Sequence, residues 1–272
     1  NGAVMNGLCL DDIFKIGIGP SSSHTMGPMH AAKAFSDELI ALAPPEPITI
    51  QVHLHGSLAA TGDGHGTAGA IAAGLTGMHY TEATLPEIEA TWAYACDTGC
   101  LVQANGVRVA FWPKQDLLKD PKPLSQHPNG MIFRAWSDQT LVLEREFFSV
   151  GGGMIENGRG ETLAHTERPQ LEAPFPYQNM AELHEWCERE KLSIAEVQAF
   201  NDHVNLRQIE RDDLAVSLWQ VMADCIDRGL STEGELPGGL QVKRRAATLW
   251  HRLLNNSHGD RAPATAAQRS MV

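Results

Sequence analysis

The sequence predicts an α+β fold, in which a mixed sheet with packed helices occupies residues 1–174 and an all-helical segment follows over 175–272. Three observations carry this reading. Ile48, Ile50, Val52 and Leu54 alternate with Thr49, Gln51, His53 and His55, which is the period of a half-buried strand. Ala31, Ala34, Phe35, Leu39 and Leu42 instead recur at helical spacing, and stretches of both kinds interleave as far as Val150. After Pro174-Phe175-Pro176 only helical patterns remain, so the boundary is placed there.

Taken in order, Asn1 to Cys9 reads as a loose lead-in, and a helix runs from Thr25 to Leu42, where Ala43-Pro44-Pro45 ends it. Gly56 breaks the strand that follows. Four glycines between Gly56 and Gly66 then demand tight turns or a close approach to the backbone. Ala68 to Leu75 is a small-residue helix, and Leu85 to Thr98 is another with Pro86 in its first turn. Val107, Val109 and Phe111 alternate as a second strand, and the four prolines between Pro113 and Pro128 mark a loop. Met131 to Ala135 and Thr140 to Val150 form a hairpin turning at Ser137-Asp138 and closing on Gly151-Gly152-Gly153. In the helical part, Ser193-Ile194-Ala195-Glu196 is a capping box. Leu214, Leu218, Val221, Met222 and Cys225 give a long helix that stops at Gly229. A loop from Ser231 to Gly239 leads into a basic helix containing Lys243, Arg244 and Arg245, and Arg261 to Val272 reads as a linker-like tail.

With 272 residues the chain can bury a sizeable core, and a formal charge of −12 argues against a nucleic-acid surface. No apolar run is long enough to cross a bilayer and the first residues lack a secretory signal, so the expected location is cytoplasmic, with no membrane partner. Five scattered cysteines suit reduced thiols better than a disulfide framework. Cys96 and Cys100, four apart, could face a metal together, but that spacing alone is a weak signal.

The chemistry concentrates between Asp12 and Pro28. Ser21, Ser22, Ser23 and Thr25 stand at the entry of the first helix, where their hydroxyls and the first backbone N–H groups make a cradle for a small anion such as a carboxylate. His24 stands at the rim as a proton donor or acceptor. One or two serines would be explained by helix capping alone; three followed by His-Thr are not. His65, between glycines in a loop after a strand, has freedom and exposure, although a solvated loop histidine is equally consistent with its sequence. His53 and His55 share a strand face and could hold a metal, but a polar outer face explains them more simply.

Gly17-Ile18-Gly19-Pro20-Ser21-Ser22-Ser23-His24-Thr25-Met26-Gly27-Pro28 resembles the opening motif of the iron–sulfur-dependent L-serine dehydratases in their single-chain bacterial form. The likeness continues through Gly56-Ser57-Leu58, Thr61-Gly62-Asp63-Gly64-His65, His127-Pro128-Asn129-Gly130-Met131 and Ser149-Val150-Gly151-Gly152-Gly153. It runs on to Cys225-Ile226-Asp227-Arg228-Gly229 and Glu233-Gly234-Glu235-Leu236-Pro237-Gly238-Gly239.

The resemblance implies a β domain over 1–174, similar to allosteric substrate-binding domains, and the beginning of a helical catalytic α domain over 175–272. It implies conversion of L-serine to pyruvate and ammonia, part of serine catabolism feeding gluconeogenesis, with His65 as base. His24 lies beside the substrate carboxylate among Ser21, Ser22, Ser23 and Thr25, and His127 comes from a third segment. A [4Fe–4S] cluster replaces pyridoxal phosphate, and a homodimer is the expected assembly. Elimination from serine needs a base at the α-carbon and an electrophile on the hydroxyl. In the family the electrophile is the cluster, whose cysteine ligands lie downstream of the point matching Val272, so the chain is expected to be inactive alone. Phe147-Phe148 departs from the family, which commonly carries tyrosine in this element, and that tyrosine's role does not transfer. Two other readings of the same residues stay open: a non-catalytic serine-binding regulatory module, and a hydrolase with a histidine-bound divalent metal.

Overall fold

The computed structural model describes residues 10–163, 173–205, 211–236 and 241–259. The lead-in from Asn1 to Cys9, the tail from Arg261 to Val272 and the end of the loop at Pro237-Gly238-Gly239 lie outside the described residues. Contacts divide the chain into two compact units, residues 12–169 and residues 1–11 with 170–272. No described helix is long and apolar enough to cross a membrane.

Residues 12–169 hold the mixed sheet. A single turn, α1 (Leu10–Ile13), opens the described chain. A π-helical turn over Ser22–Met26 then runs directly into α2 (Gly27–Leu42), one turn earlier than the sequence pattern alone suggests. The strand β1 (Ile48–His55) follows, then α3 (Gly56–Thr61), a 3₁₀ turn (Gly62–His65) and α4 (Thr67–Leu75), so the glycine-rich stretch is mostly short helix rather than loop. Next come α5 (Leu85–Thr98), β2 (Cys100–Val102), β3 (Arg108–Ala110), the turn α6 (Pro113–Asp116) and β4 (Leu117–Asp120). Then β5 (Gly130–Ser137), β6 (Thr140–Gly151), β7 (Met154–Asn157) and β8 (Thr162–Leu163) complete the unit.

The eight strands run β2-β3-β1-β5-β6-β7-β8, with β4 also on β1. Two strands share one edge of β1: β3 lies parallel to it at Ile48 and Thr49, and β4 parallel to it from Val52 to His55. Sequence pattern treats Pro113 to Pro128 as loop because a four-residue strand borrowing its partner from β1 has no alternation of its own to read. Cys100 belongs to β2, beyond the glycine that ends α5, so Cys96 and Cys100 do not share a helix face.

One face of the sheet buries Ile48, Ile50, Val52, Leu54, Met131, Phe133 and Ala135 against α2 and α4. The other keeps Thr49, Gln51, His53 and Arg134 partly exposed, as expected for a sheet covered on one side. Phe147 and Phe148 are both buried, at 3% and 1% exposure.

The second unit is helical where it is described: α7 (Met180–Glu190), α8 (Ile194–Asn205), α9 (Arg211–Ser231) and α10 (Ala246–Gly259). The capping box forms, with the Ser193 N–H and hydroxyl both donating to Glu196 Oε2 at 2.7 Å. Within this unit the Leu10 N–H donates to the buried Asp202 carboxylate at 3.1 Å.

Two expectations fail here. The long helix continues through Gly229 to Ser231, since a glycine with helical geometry on both sides weakens a helix without ending it. Lys243, Arg244 and Arg245 precede α10 instead of lying in it. Lys243 bridges Glu235, and backbone hydrogen bonds from Leu236 to Val242 and from Arg244 to Gly234 hold the run extended.

Candidate active site

Several motifs meet at one end of the sheet, where β1 finishes, β5 begins and β6 finishes. The Ser21–Thr25 turn, the start of α3, the His65 turn and the loop from His127 to Gly130 all lie there.

The turn is built from its own side chains. Ser21, extended at φ −137°, caps it by accepting the His24 N–H on Oγ at 3.1 Å. Its carbonyl accepts from both Thr25 and Met26, at 3.0 and 3.1 Å. Ser22 and Ser23 are first in the turn, where backbone N–H groups have no intrahelical acceptor. Ser22 is exposed and Ser21, Ser23 and His24 are half-buried, so the polar rim faces outward. Thr25 is turned inward, 3% exposed; its hydroxyl donates to the His65 carbonyl at 2.7 Å and accepts the Ser21 N–H at 3.3 Å. Thr25 thus holds the serine turn against the His65 turn. Thr67 adds a second strut, donating to the His24 carbonyl at 2.5 Å. Beneath, Met26 rests on Met29, Ala70, Ala73 and Tyr80.

His24 bridges two hydroxyls, with Nδ1 2.8 Å from Ser23 Oγ and Nε2 3.0 Å from Ser57 Oγ. Burial first, and the neighbouring His65 second, hold it below the ordinary imidazole value of 6.5, with Ser57 opposing. It is therefore a neutral ring at neutral pH. The His65 ring lies 4.8 Å away, tilted by 44°. Its Nδ1 is 2.8 Å from the Thr61 carbonyl. A carbonyl can only accept, so Nδ1 carries a proton and the neutral tautomer of the ring has its lone pair on Nε2. The turn carrying His65 is fastened from outside by Lys119 on β4, which donates to Asp63 at 2.5 Å.

The third segment joins through the backbone. The Ser57 N–H donates to the Pro128 carbonyl at 2.9 Å, and a Cβ on Gly56 would lie 2.3 Å from that oxygen. Gly56 also has a φ of +55°, so close approach and backbone conformation both require glycine. His127 accepts the Asn129 N–H on Nδ1 at 3.1 Å, which puts its neutral-state proton on Nε2. Asn129 in turn exchanges hydrogen bonds with the Ser149 backbone at 3.0 and 3.2 Å. Ser149 Oγ is buried without a hydrogen-bond partner, against Gly27 at the start of α2.

The structure thus brings Ser21, Ser22, Ser23, His24, Thr25 and His65 together, and ties the His127 loop to them through Ser57. Sequence reasoning missed Ser57, Thr67 and Asn129. Ser57 had a signal, a hydroxyl directly after the strand-breaking Gly56. His53 stands apart: its Nε2 is 2.8 Å from Gln51, and burial, then Arg134 and His55, hold its pKa down. Among the described residues no group of three or more His, Cys, Asp or Glu could hold a metal ion.

Residues 9–159 match the family described as "Serine dehydratase beta chain". The L-serine dehydratase TdcG of Escherichia coli is 38% identical over 249 residues, covering 91% of this chain and 54% of its own length. L-serine dehydratases of Helicobacter pylori and Mycobacterium bovis are 35% and 38% identical over 243 and 255 residues. The chain spans about half the length of the curated relatives it matches.

Proposed function

The chain belongs to the serine dehydratase beta chain family, and from that premise we propose that it is the substrate-binding part of an L-serine dehydratase, which converts L-serine to pyruvate and ammonia. The remaining part corresponds to the half of the relatives that this chain does not span. The N–H groups of Ser22 and Ser23 at the start of the turn, with the Ser21, Ser22 and Ser23 hydroxyls, receive the substrate carboxylate. Thr25 behind them fixes the turn, and neutral His24 lies beside the carboxylate without adding a charge. His65 takes the α-proton on Nε2. With that proton gone, loss of the β-hydroxyl gives aminoacrylate, which tautomerises to the imine and hydrolyses to pyruvate and ammonia. His127 lies on the loop that closes the third side. The observation that carries this reading is the His24–His65 pair at the serine turn, with the His65 Nδ1 proton committed to the Thr61 carbonyl.

Hydroxide is a poor leaving group and needs an electrophile. The described cysteines do not make a seat for the iron–sulfur cluster that the resemblance implies. Cys96 and Cys225 are exposed, Cys100 and Cys187 are half-buried, and they come from four different elements. The cluster does not fit these residues, so we assign its ligands to the other half and derive no step through it. The test is pyruvate formation from L-serine, comparing the complete gene product with this chain alone, both purified without oxygen. Activity in the complete product only is expected. Activity in neither, with serine still bound by this chain, would favour a regulatory module.

A further inference from the structure

The two hydroxyls on the His24 ring cannot play the same part. Nδ1 lies 2.8 Å from Ser23 Oγ and Nε2 lies 3.0 Å from Ser57 Oγ, while a neutral imidazole has one N–H and one lone pair. Burial, and then His65, hold the ring below the ordinary 6.5, so a form with both nitrogens donating is excluded at neutral pH. Two patterns remain. Either Ser23 donates to Nδ1 and Nε2 donates to Ser57, or the protons run the other way, from Ser57 to Nε2 and from Nδ1 to Ser23. An anion on the turn decides between them. A carboxylate only accepts, so each hydroxyl that binds it donates its single proton to it. Ser23 then has none left for His24, and Nδ1 must be the donor. Nε2 is left bare, and the hydroxyl 3.0 Å from it belongs to Ser57. Ser21 meets the same condition, because its Oγ accepts the His24 backbone N–H at 3.1 Å and keeps its own proton. The contact between Ser21 Oγ and Ser23 Oγ, at 3.4 Å, is loose for two hydroxyls and gives way when both donate to a ligand.

We infer that Ser57 is a positioning residue for the carboxylate cradle: its hydroxyl donates to His24 Nε2, fixes the ring as the Nδ1–H tautomer, and thereby frees the Ser23 proton for the substrate carboxylate. This rests on the reading of the serine turn as the carboxylate site. Ser57 acts through His24 and is itself held on both sides of its backbone. Its N–H donates to the Pro128 carbonyl at 2.9 Å, and its carbonyl accepts the Thr61 hydroxyl at 3.0 Å. Thr61 also takes the His65 Nδ1 proton on its own carbonyl, at 2.8 Å. The two ends of α3 therefore set the tautomers of both histidines, Ser57 for His24 and Thr61 for His65. Both rings are left as the Nδ1–H form, one to release a hydroxyl proton toward the anion and the other to present Nε2 as base.

Kinetics and NMR test this together. In the complete gene product, Ser57→Ala is expected to raise the KM for L-serine by about five- to tenfold, with most of the fall in kcat/KM lying in KM. Ser57→Thr, which keeps a hydroxyl, is expected to restore it. In the 272-residue chain with L-serine bound, the ring-nitrogen NMR shifts of His24, identified by their absence in His24→Asn, are expected to report the Nδ1–H tautomer. An unchanged KM in Ser57→Ala, no rescue by threonine, or an Nε2–H ring in the serine complex overturns the inference. Any of these with pyruvate still formed by the unaltered protein sinks the role of Ser57 alone. A chain that binds no L-serine, from a gene product that forms no pyruvate, sinks the dehydratase reading beneath it.

Discussion

His24 and Ser149 each make a prediction about the stability of the fold. His24 and His53 both titrate below the ordinary 6.5, so between 6.5 and their folded values the unfolded chain binds more protons than the folded one. Stability is therefore fully present above pH 6.5 and declines as the pH falls below it. His24→Asn, which keeps a neutral hydrogen-bonding side chain, should flatten part of that decline in melting temperature; an unchanged pH profile would place the depression elsewhere. Ser149 Oγ is buried and unpartnered, so Ser149→Ala removes an unsatisfied group. Thermal melting should show a variant at least as stable as the parent, by up to about 1 kcal/mol, and a loss of that size would reveal a hidden partner. At this scale the sequence was informative because hydroxyls and histidines in one turn are unusual. It was silent about direction. Nothing in Ser-Ser-Ser-His-Thr says that Thr25 points inward to the His65 carbonyl while Ser22 points out.

At the scale of elements, the contact between α3 and the His127 loop is the joint that assembles the site. Gly56→Ala puts a methyl group on the Pro128 carbonyl and a side chain at φ +55°. It should cost more than about 1 kcal/mol by denaturant unfolding and weaken serine binding in the same variant. A variant with native stability would mean that the two segments are not held together as described. Long patterns were legible: β1, α4 and α5, and the β5–β6 hairpin, lie where alternation and helical spacing put them, because each buries a full face of its own. β2, β4, β7 and β8 were not, because strands of two to four residues owe their existence to a neighbour's unpaired edge. The basic run at Lys243 was misread for a related reason. Its residues favour helix in isolation, but the single bridge between Lys243 and Glu235, with its flanking backbone hydrogen bonds, overrides that preference.

For the whole molecule, charge and composition set limits and little more; the motifs carried the family, and the described structure carried the geometry on which the proposed roles rest. What no single sequence could supply was the distance between segments far apart in the chain, such as His24 from His65 or Ser57 from Pro128. The central claim is that this geometry serves removal of the α-proton from L-serine by His65. The direct measurement is pyruvate formation by the complete, anaerobically purified gene product carrying His65→Gln, beside the unaltered protein, with serine affinity measured by calorimetry on both. Turnover should fall by about 10²–10⁴-fold with affinity nearly unchanged. Undiminished turnover in His65→Gln would contradict the account.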